Sequence, residues 1–209
     1  MSPDQPIRVL SVDDHPALRE GIATIINCQP DMQLVSSACT GQEAIARYRE
    51  LKPDVTLMDL RLPDLSGIDV VTAIRAEFPD ARIIMLTTFE GDVEIKRALA
   101  AGARGYLLKT MPPRQLLDTI REVHSGKKRI LPEIASNLAE HLSDEPLTQR
   151  EIDVLRHATE GNRNRDIAKR LFISEETVKV HIKHILSKLG ATDRTHAIAL
   201  AARRGFINL

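Results

Sequence analysis

The first 125 residues alternate between short apolar runs and segments whose apolar positions recur every three or four residues. Runs of strand length that end in a turn are typical of buried parallel strands, and the 3.6-residue period is typical of amphipathic helices. The pattern predicts strands at 7–12, 32–38, 55–60, 81–88 and 105–109, each followed by a helix. Such alternation requires right-handed crossovers that place helices on both faces of the sheet. We therefore predict a doubly wound α/β domain with a five-stranded parallel sheet over residues 1–125.

The pattern changes after residue 125. Residues 126–145 contain glycine, proline and clustered charges, which predicts a linker with a short helix over 133–142. Residues 146–209 show helical periods only, so we predict a small all-α domain there. Its first helix, 149–160, begins with Thr148 and Glu151 at capping-box spacing. A second helix follows at 164–172, and Ser174 is the predicted N-cap of a third at 175–190.

The third helix carries two different faces. An apolar stripe that must pack on a core consists of Val178, Ile182, Ile185, Leu186 and Leu189. The opposite face sets Val180 between Lys179 and Lys183. A helix in a DNA major groove uses lysines for guanine acceptors or phosphates and a small apolar group for a thymine methyl. The spacing predicts a helix-turn-helix over about 164–189, although a solvated basic helix with one stray valine has the same spacing.

Composition and charge narrow the function classes. The chain of 209 residues is 43% hydrophobic and has a formal net charge of zero, yet residues 1–125 carry −4 and residues 146–209 carry +5. A basic segment joined to an acidic segment in one chain indicates that the basic segment binds a polyanion. No signal peptide or membrane-spanning run is evident, so we expect a cytosolic protein without a membrane partner. Cys28 and Cys39 fit no disulfide framework, and His181 and His184 have no third zinc ligand nearby in the sequence.

Polar side chains stand where the predicted strands end. Asp13 and Asp14 follow the first strand, Asp59 the third, Thr87 lies at the end of the fourth, and Lys109 at the end of the fifth. Ligands bind beyond the carboxyl ends of parallel strands, and converging carboxylates need a cation such as Mg²⁺. A carboxylate held there can attack a phosphoryl group, while lysine and hydroxyl groups stabilise its oxygens. Taken alone, Asp59 is equally explained as a helix cap or a solvated loop residue.

This pattern, together with Tyr106, resembles the receiver domain of two-component response regulators, whose fold is flavodoxin-like. The resemblance implies that Asp59 accepts a phosphoryl group from a histidine kinase. It also implies that Asp14, Asp59 and the backbone carbonyl of Arg61 bind Mg²⁺ and that Asp13 assists through water. Thr87 and Tyr106 would form a switch pair, although Tyr106 could also be an ordinary half-buried strand residue.

Residues 147–207 resemble the LuxR-type helix-turn-helix domain through "LTQREIDVL", "NRDIAKRLFIS", "ETVKVHIKHILSKL" and "DRTHAIALA". With the receiver, they identify the chain as a member of the NarL/FixJ-type response regulators. The resemblance implies base contacts from Lys179, Val180 and Lys183. Candidate phosphate contacts are Thr177, Arg165, Lys188 and Arg194. The last helix, 194–204, would pair two copies on promoter DNA, and RNA polymerase is a further candidate partner.

Two other functions share these features. Magnesium-dependent phosphatases that resemble the haloacid dehalogenases also use an aspartate nucleophile on a doubly wound sheet. They place a second aspartate two residues later as general acid, and this chain has Arg61 at that position. The second alternative is a DNA-binding protein whose receiver serves only for dimerisation, without phosphate control.

Overall fold

A computed structural model describes residues 5–88, 91–130, 132–141 and 144–207. Residue 131 and residues 142–143 of the predicted linker, including the end of its predicted helix, lie outside the described residues. The chain divides into two compact units, one built mainly from the residues up to 135 and the other mainly from residues 136–209.

The first unit is a parallel sheet with the strand order β2-β1-β3-β4-β5-β6. Its strands are β1 Ile7–Val12, β2 Met32–Ala38, β3 Val55–Asp59, β4 Ile83–Thr87, β5 Gly105–Leu108 and β6 Arg129–Ile130. The five predicted strands are confirmed. They form the core of the sheet, and a short two-residue strand, β6, which was not predicted, pairs with β5 within the segment predicted as linker.

Five helices connect the strands, as predicted: α1 Pro16–Asn27, α2 Gly41–Leu51, α3 Gly67–Glu77, α4 Asp92–Ala100 and α5 Pro113–His124. Strands β3 and β4 are buried along their whole length because helices cover the sheet on both faces. Strand β1 lies between β2 and β3, so the chain leaves β1 in one direction and reaches β3 in the other. This switch point opens a crevice at the carboxyl ends of β1 and β3.

A glycine fixes the loop that follows β3. A Cβ atom on Gly67 would lie 2.0 Å from the backbone oxygen of Asp59, so no side chain fits there. The Gly67 N–H donates to the Leu60 carbonyl over 2.8 Å, and Arg61 and Ser66 form an isolated bridge. Ser66 then caps α3 through its side-chain oxygen. The loop is therefore closed tightly over the end of β3, where Asp59 lies.

The second unit is helical. It contains most of α6 Pro132–Glu140, followed by α7 Gln149–Thr159, α8 Asn164–Leu171, α9 Glu175–Leu189 and α10 Arg194–Arg204. The predicted capping box of Thr148 and Glu151 is present at the start of α7, and Ser174 caps α9. In the apolar stripe of α9, Val178 and Ile185 are buried, and the other three members pack against the same core. Helices α8 and α9 therefore form the predicted helix-turn-helix.

Within the described ranges, no helix is both long enough and apolar enough to span a bilayer.

Candidate functional site

Two buried carboxylates and one ammonium group form the centre of the site. Asp13 follows β1, Asp59 ends β3, and Lys109 follows β5, so the sheet order brings them together. The Lys109 Nζ lies 2.6 Å from Asp13 Oδ2 and 2.7 Å from Asp59 Oδ2. The side chains of both aspartates are almost fully buried. A single positive charge thus faces two negative charges inside the protein.

Burial dominates the electrostatics of this group. Burial raises the pKa of Asp59 above its usual value, and the hydrogen bond and charge of Lys109 offset part of that rise. Burial also opposes the charged form of Lys109, but its hydrogen bonds to Asp13 and Asp59 raise the Lys109 pKa overall. The ammonium therefore stays protonated, whereas ionised Asp59 carries a free-energy cost that a further cation would relieve.

Asp14 and Arg61 lie at the rim of the cluster. The Asp14 side chain is partly exposed, in contrast to its buried neighbour Asp13. The Arg61 N–H donates to Asp59 Oδ1 over 3.3 Å, so the backbone of the β3–α3 loop lies close to the carboxylate. The predicted role of the Arg61 carbonyl as a metal ligand stays a prediction.

Thr87 and Tyr106 lie on the two neighbouring strands next to the cluster. Thr87 ends β4 and is buried, and its carbonyl accepts a 2.7 Å hydrogen bond from the Lys109 N–H. Tyr106 lies in β5 opposite Met85 and is fully buried. The ring is therefore fully rather than half buried, and this burial fits an ordinary strand residue as well as a switch residue.

The donor atoms suit a divalent cation. Asp13, Asp14, His15 and Asp59 each place one ligand atom so that all four lie within 4.8 Å of one another. Three of the four are carboxylates, which are the donors that Mg²⁺ prefers. The buried pair holds two negative charges against the one charge of Lys109, so a bound cation would improve the charge balance.

His15 was missed as a member of this group by the sequence analysis. Its ring atom Nδ1 lies 2.6 Å from Asp14 Oδ1 and 3.2 Å from Asp13 Oδ1. Its backbone N–H donates to Asp13 Oδ1 over 2.8 Å. The available signal was its position directly after the two aspartates. Its side-chain direction could not be read from that position.

The predicted base-contacting residues lie on the exposed face of α9. Lys179 and Lys183 are exposed, and Val180 is 47% exposed, which is rare for an apolar residue of this unit. Lys179 Nζ is 3.1 Å from Glu176. Arg165 is exposed near the start of α8. Thr177 lies in the first turn of α9, and its hydroxyl is 2.7 Å from Ser174 Oγ.

The other two candidate phosphate contacts have partners inside the unit. Lys188 Nζ lies 3.0 Å from both Glu145 and Glu151, and its side chain is only 12% exposed. Arg194 donates to the carbonyls of Asn162 and Ala158 at 2.6 and 3.3 Å, and burial lowers its pKa. These contacts favour structural roles, which join α9 to α7 and α10 to the α7–α8 loop.

With this geometry in place, the comparisons with known proteins identify the chain. The family model of the response regulator receiver domain matches residues 9–121. The family model described as bacterial regulatory proteins, luxR family, matches residues 145–201. The parallel sheet with its acidic crevice is a receiver domain, and the helical unit is a LuxR-type helix-turn-helix domain. The chain belongs to the response regulators that combine the two, and it is a two-component response regulator.

Relatives of similar length support this assignment. The chain is 40% identical over 213 residues to the transcriptional regulatory protein YxjL of Bacillus subtilis, covering 96% of this chain and 97% of YxjL. It is 38% identical over 206 residues to the response regulator VraR of Staphylococcus aureus, covering 96% and 99%. One relative is described as a transcriptional regulatory protein and the other as a response regulator, and this argues against the phosphatase alternative.

Solved structures show the same two-domain chain. The response regulator ChrA of a heme-sensing two-component system is 36% identical with a TM-score of 0.58, covering 97% of this chain and 99% of ChrA. A structure of two RcsB dimers bound to two parallel DNAs gives a TM-score of 0.72 at 25% identity, covering 95% and 99%. Both cover nearly the whole length of this chain.

The electrostatics of Asp59 give a first prediction. Because its pKa is raised by folding, the folded state binds the proton more tightly than the unfolded state, and stability falls as the pH rises above the unfolded value. Replacing Asp59 with asparagine removes this cost. We expect Asp59→Asn to unfold at a higher urea concentration than the wild type at pH 7 in EDTA, with the difference vanishing below pH ~3.8.

The matched control is Asp69→Asn, which changes an exposed aspartate in the first turn of α3. The Asp69→Asn variant should not raise the urea concentration at which half of the protein is unfolded. A lower midpoint for Asp59→Asn at pH 7 would show that the Lys109 ion pair outweighs the cost of burial, contrary to our account.

Proposed function

We propose that Asp59 is the phosphoacceptor of this response regulator and that its phosphorylation by a histidine kinase controls DNA binding. The observation that carries the proposal is the convergence of Asp59 with Asp13 and Lys109 at the switch point of the sheet. Reactive carboxylates in α/β proteins lie at this position, and a lysine there can neutralise phosphoryl oxygens.

The chemistry follows from the contacts of Asp59. One carboxylate oxygen attacks the phosphorus of a phosphohistidine, an O–P bond forms, and the P–N bond breaks. The imidazole leaves with the electron pair and takes up a proton. Lys109 Nζ, 2.7 Å from Asp59 Oδ2, is placed to balance the charge of the phosphoryl oxygens, and the Arg61 N–H orients Asp59 Oδ1.

The acidic cluster is proposed to hold the required metal. Asp13, Asp14, Asp59 and the Arg61 carbonyl are the residues that would hold Mg²⁺, with Asp13 acting through water. When bound, Mg²⁺ offsets the charge of the carboxylates and of the phosphoryl oxygens. The chain's own residues position the acceptor and shield it, since the Asp59 side chain is only 5% exposed.

Thr87 and Tyr106 are proposed to report the phosphorylation state. Thr87 ends the strand next to β3, one residue after Leu86, which is the register partner of Asp59, and its hydroxyl is proposed to hydrogen-bond a phosphoryl oxygen. The Tyr106 ring is buried on the neighbouring strand, two residues before the register partner of Thr87, and is proposed to move when Thr87 moves. Buried packing has few alternative arrangements, so a shift of Thr87 would alter the receiver surface in a two-state manner.

In the helical unit, the exposed face of α9 is proposed to read bases in the major groove. Lys179, Val180 and Lys183 lie within about one turn and are exposed. The solved RcsB complexes support DNA as the partner of this domain type. The last helix, α10, is proposed to pair two copies on DNA.

Phosphorylation gives the direct test of the acceptor. Incubation with a small acyl phosphate donor and Mg²⁺ should add one phosphoryl group, which mass spectrometry of the intact protein detects. EDTA and Asp59→Asn should each abolish the addition, whereas Asp69→Asn should leave it unchanged. A label that persists in Asp59→Asn would place the acceptor elsewhere.

Phosphorylation should also change assembly and DNA binding. We expect the phosphorylated protein to dimerise and to bind paired half-sites about one helical turn apart more tightly, because paired recognition helices impose that spacing. Thr87→Ala should accept phosphate yet lose most of this gain. Light scattering and gel shift measure the two effects, and equal mass and affinity in both states would favour the phosphate-independent alternative.

Substitutions on α9 should separate base contacts from packing. If Val180 packs on a thymine methyl, Val180→Ala should weaken binding at one position of the half-site by roughly 1 kcal/mol and relax the preference for T there. A saturation scan of the half-site tests this. A uniform loss at all positions would mean that the valine is not a base contact.

The salt dependence of binding distinguishes phosphate contacts from structural residues. If Arg165, which is exposed near the start of α8, neutralises a phosphate, Arg165→Ala should lower the slope of log affinity against log salt by about one unit. The same loss is expected of Lys188→Ala if Lys188 is a phosphate contact. Because Lys188 forms ion pairs with Glu145 and Glu151, we expect instead that Lys188→Ala leaves the salt slope unchanged and lowers the unfolding temperature.

A further inference from the structure

His15 adds a nitrogen donor to the acidic cluster of the receiver. We propose that His15 is a ligand of the metal site through Nδ1, so that the site binds Mn²⁺ and related transition ions with one imidazole ligand, besides Mg²⁺. This inference rests on the proposed metal site of the receiver and adds to it a residue and a class of ion.

The local backbone turns the imidazole towards the carboxylates. His15 directly precedes α1 and is its N-cap by position, with φ −83° and ψ 110°, but its side chain makes no capping hydrogen bond. Instead, Nδ1 lies 2.6 Å from Asp14 Oδ1 and 3.2 Å from Asp13 Oδ1. The His15 N–H, which donates to Asp13 Oδ1 over 2.8 Å, fixes the backbone on the same side.

The carboxylate of Asp13 divides its two oxygens between different partners. Oδ2 lies against the Lys109 ammonium, whereas Oδ1 faces His15. The ammonium therefore occupies one side of the cluster and the imidazole borders the other. The His15 side chain is 70% exposed, so an ion in contact with it can exchange with solvent.

The distances are compatible with a shared ion. Two ligands on opposite sides of one ion, at about 2.0–2.3 Å from it, are about 4.0–4.6 Å apart. The four candidate ligand atoms of the cluster lie within 4.8 Å of one another. This spread is close to the separation of two ligands across one ion, so His15 Nδ1 can share an ion with the carboxylates of the cluster.

The chemistry of the donor atom decides which metal ions bind more tightly when an imidazole is among the ligands. Mg²⁺ prefers oxygen ligands and keeps several waters, so it gains little from an imidazole. Mn²⁺, Co²⁺ and Zn²⁺ accept imidazole nitrogen, and their affinities respond to it. If His15 instead only hydrogen-bonds Asp14, its removal should affect no metal selectively.

The experiment uses the metal-free full-length protein with Mn²⁺ as the probe. Electron spin echo envelope modulation of bound Mn²⁺ should show coupling to one ¹⁴N nucleus, and His15→Ala should remove it. Loss of the free Mn²⁺ signal on titration gives the affinity, which we expect to fall at least tenfold in His15→Ala. Competition with Mg²⁺ should show that Mg²⁺ affinity changes less than about twofold.

His124→Ala is the matched control, because His124 lies at the end of α5 and is not part of the cluster. It should keep the ¹⁴N coupling and both affinities, and circular dichroism should show that both variants fold. Bound Mn²⁺ without ¹⁴N coupling in the wild type, coupling that survives in His15→Ala, or an equal loss of Mn²⁺ and Mg²⁺ affinity would each overturn the inference.

These outcomes are separable from the failure of the proposed function. If Asp59 is phosphorylated with Mg²⁺ but Mn²⁺ shows no nitrogen ligand, the receiver function stands and the role of His15 is rejected. If no divalent ion binds and Asp59 takes up no phosphate, the proposed metal site itself is rejected, and the inference falls with it.

Discussion

The burial of two carboxylates against one ammonium group is the constraint on which the receiver unit depends. Asp13 and Asp59 are taken out of water at the ends of neighbouring strands, and in the part of the chain that the structure describes only Lys109 places a positive charge within 3 Å of both. An uncompensated buried charge costs several kcal/mol. The order of the strands is thus tied to the chemistry, because only a sheet that places β1, β3 and β5 with their carboxyl ends together can bring these three groups into contact.

The same imbalance supports the proposal that the site binds a cation and a phosphoryl group. A fully neutralised pair of ions would gain nothing from a further cation, whereas this group has one negative charge in excess. Burial, together with the remaining negative charge, raises the pKa of Asp59. The same charge favours the binding of a metal ion or of another positively charged ligand. The unbalanced charge lowers the free energy of unfolding, and the binding of a cation would offset that loss.

Much of the receiver could be predicted from the sequence because its strands are buried on both faces and read as continuous apolar runs. The polar residue after each run then marked the crevice. Strand β6 was missed because two residues next to a lysine pair carry no periodicity. His15 was missed for another reason. Its place in the sequence fits a helix cap, and only the rotamer shows that its ring faces the carboxylates.

In the helical unit, the sequence identified the exposed face of α9 but could not sort its basic residues. Lys188 and Lys183 are both polar positions on one helix, yet Glu151, the partner of Lys188, is 37 positions away in the chain. Such pairs depend on how helices pack, which periodicity does not show.

The division of the proposed roles between two units has a functional consequence. Pairing two copies raises affinity for paired half-sites through effective concentration alone, without altering any base contact. The proposed phosphate control at Asp59 and the proposed base recognition by Lys179, Val180 and Lys183 could therefore be changed independently of each other.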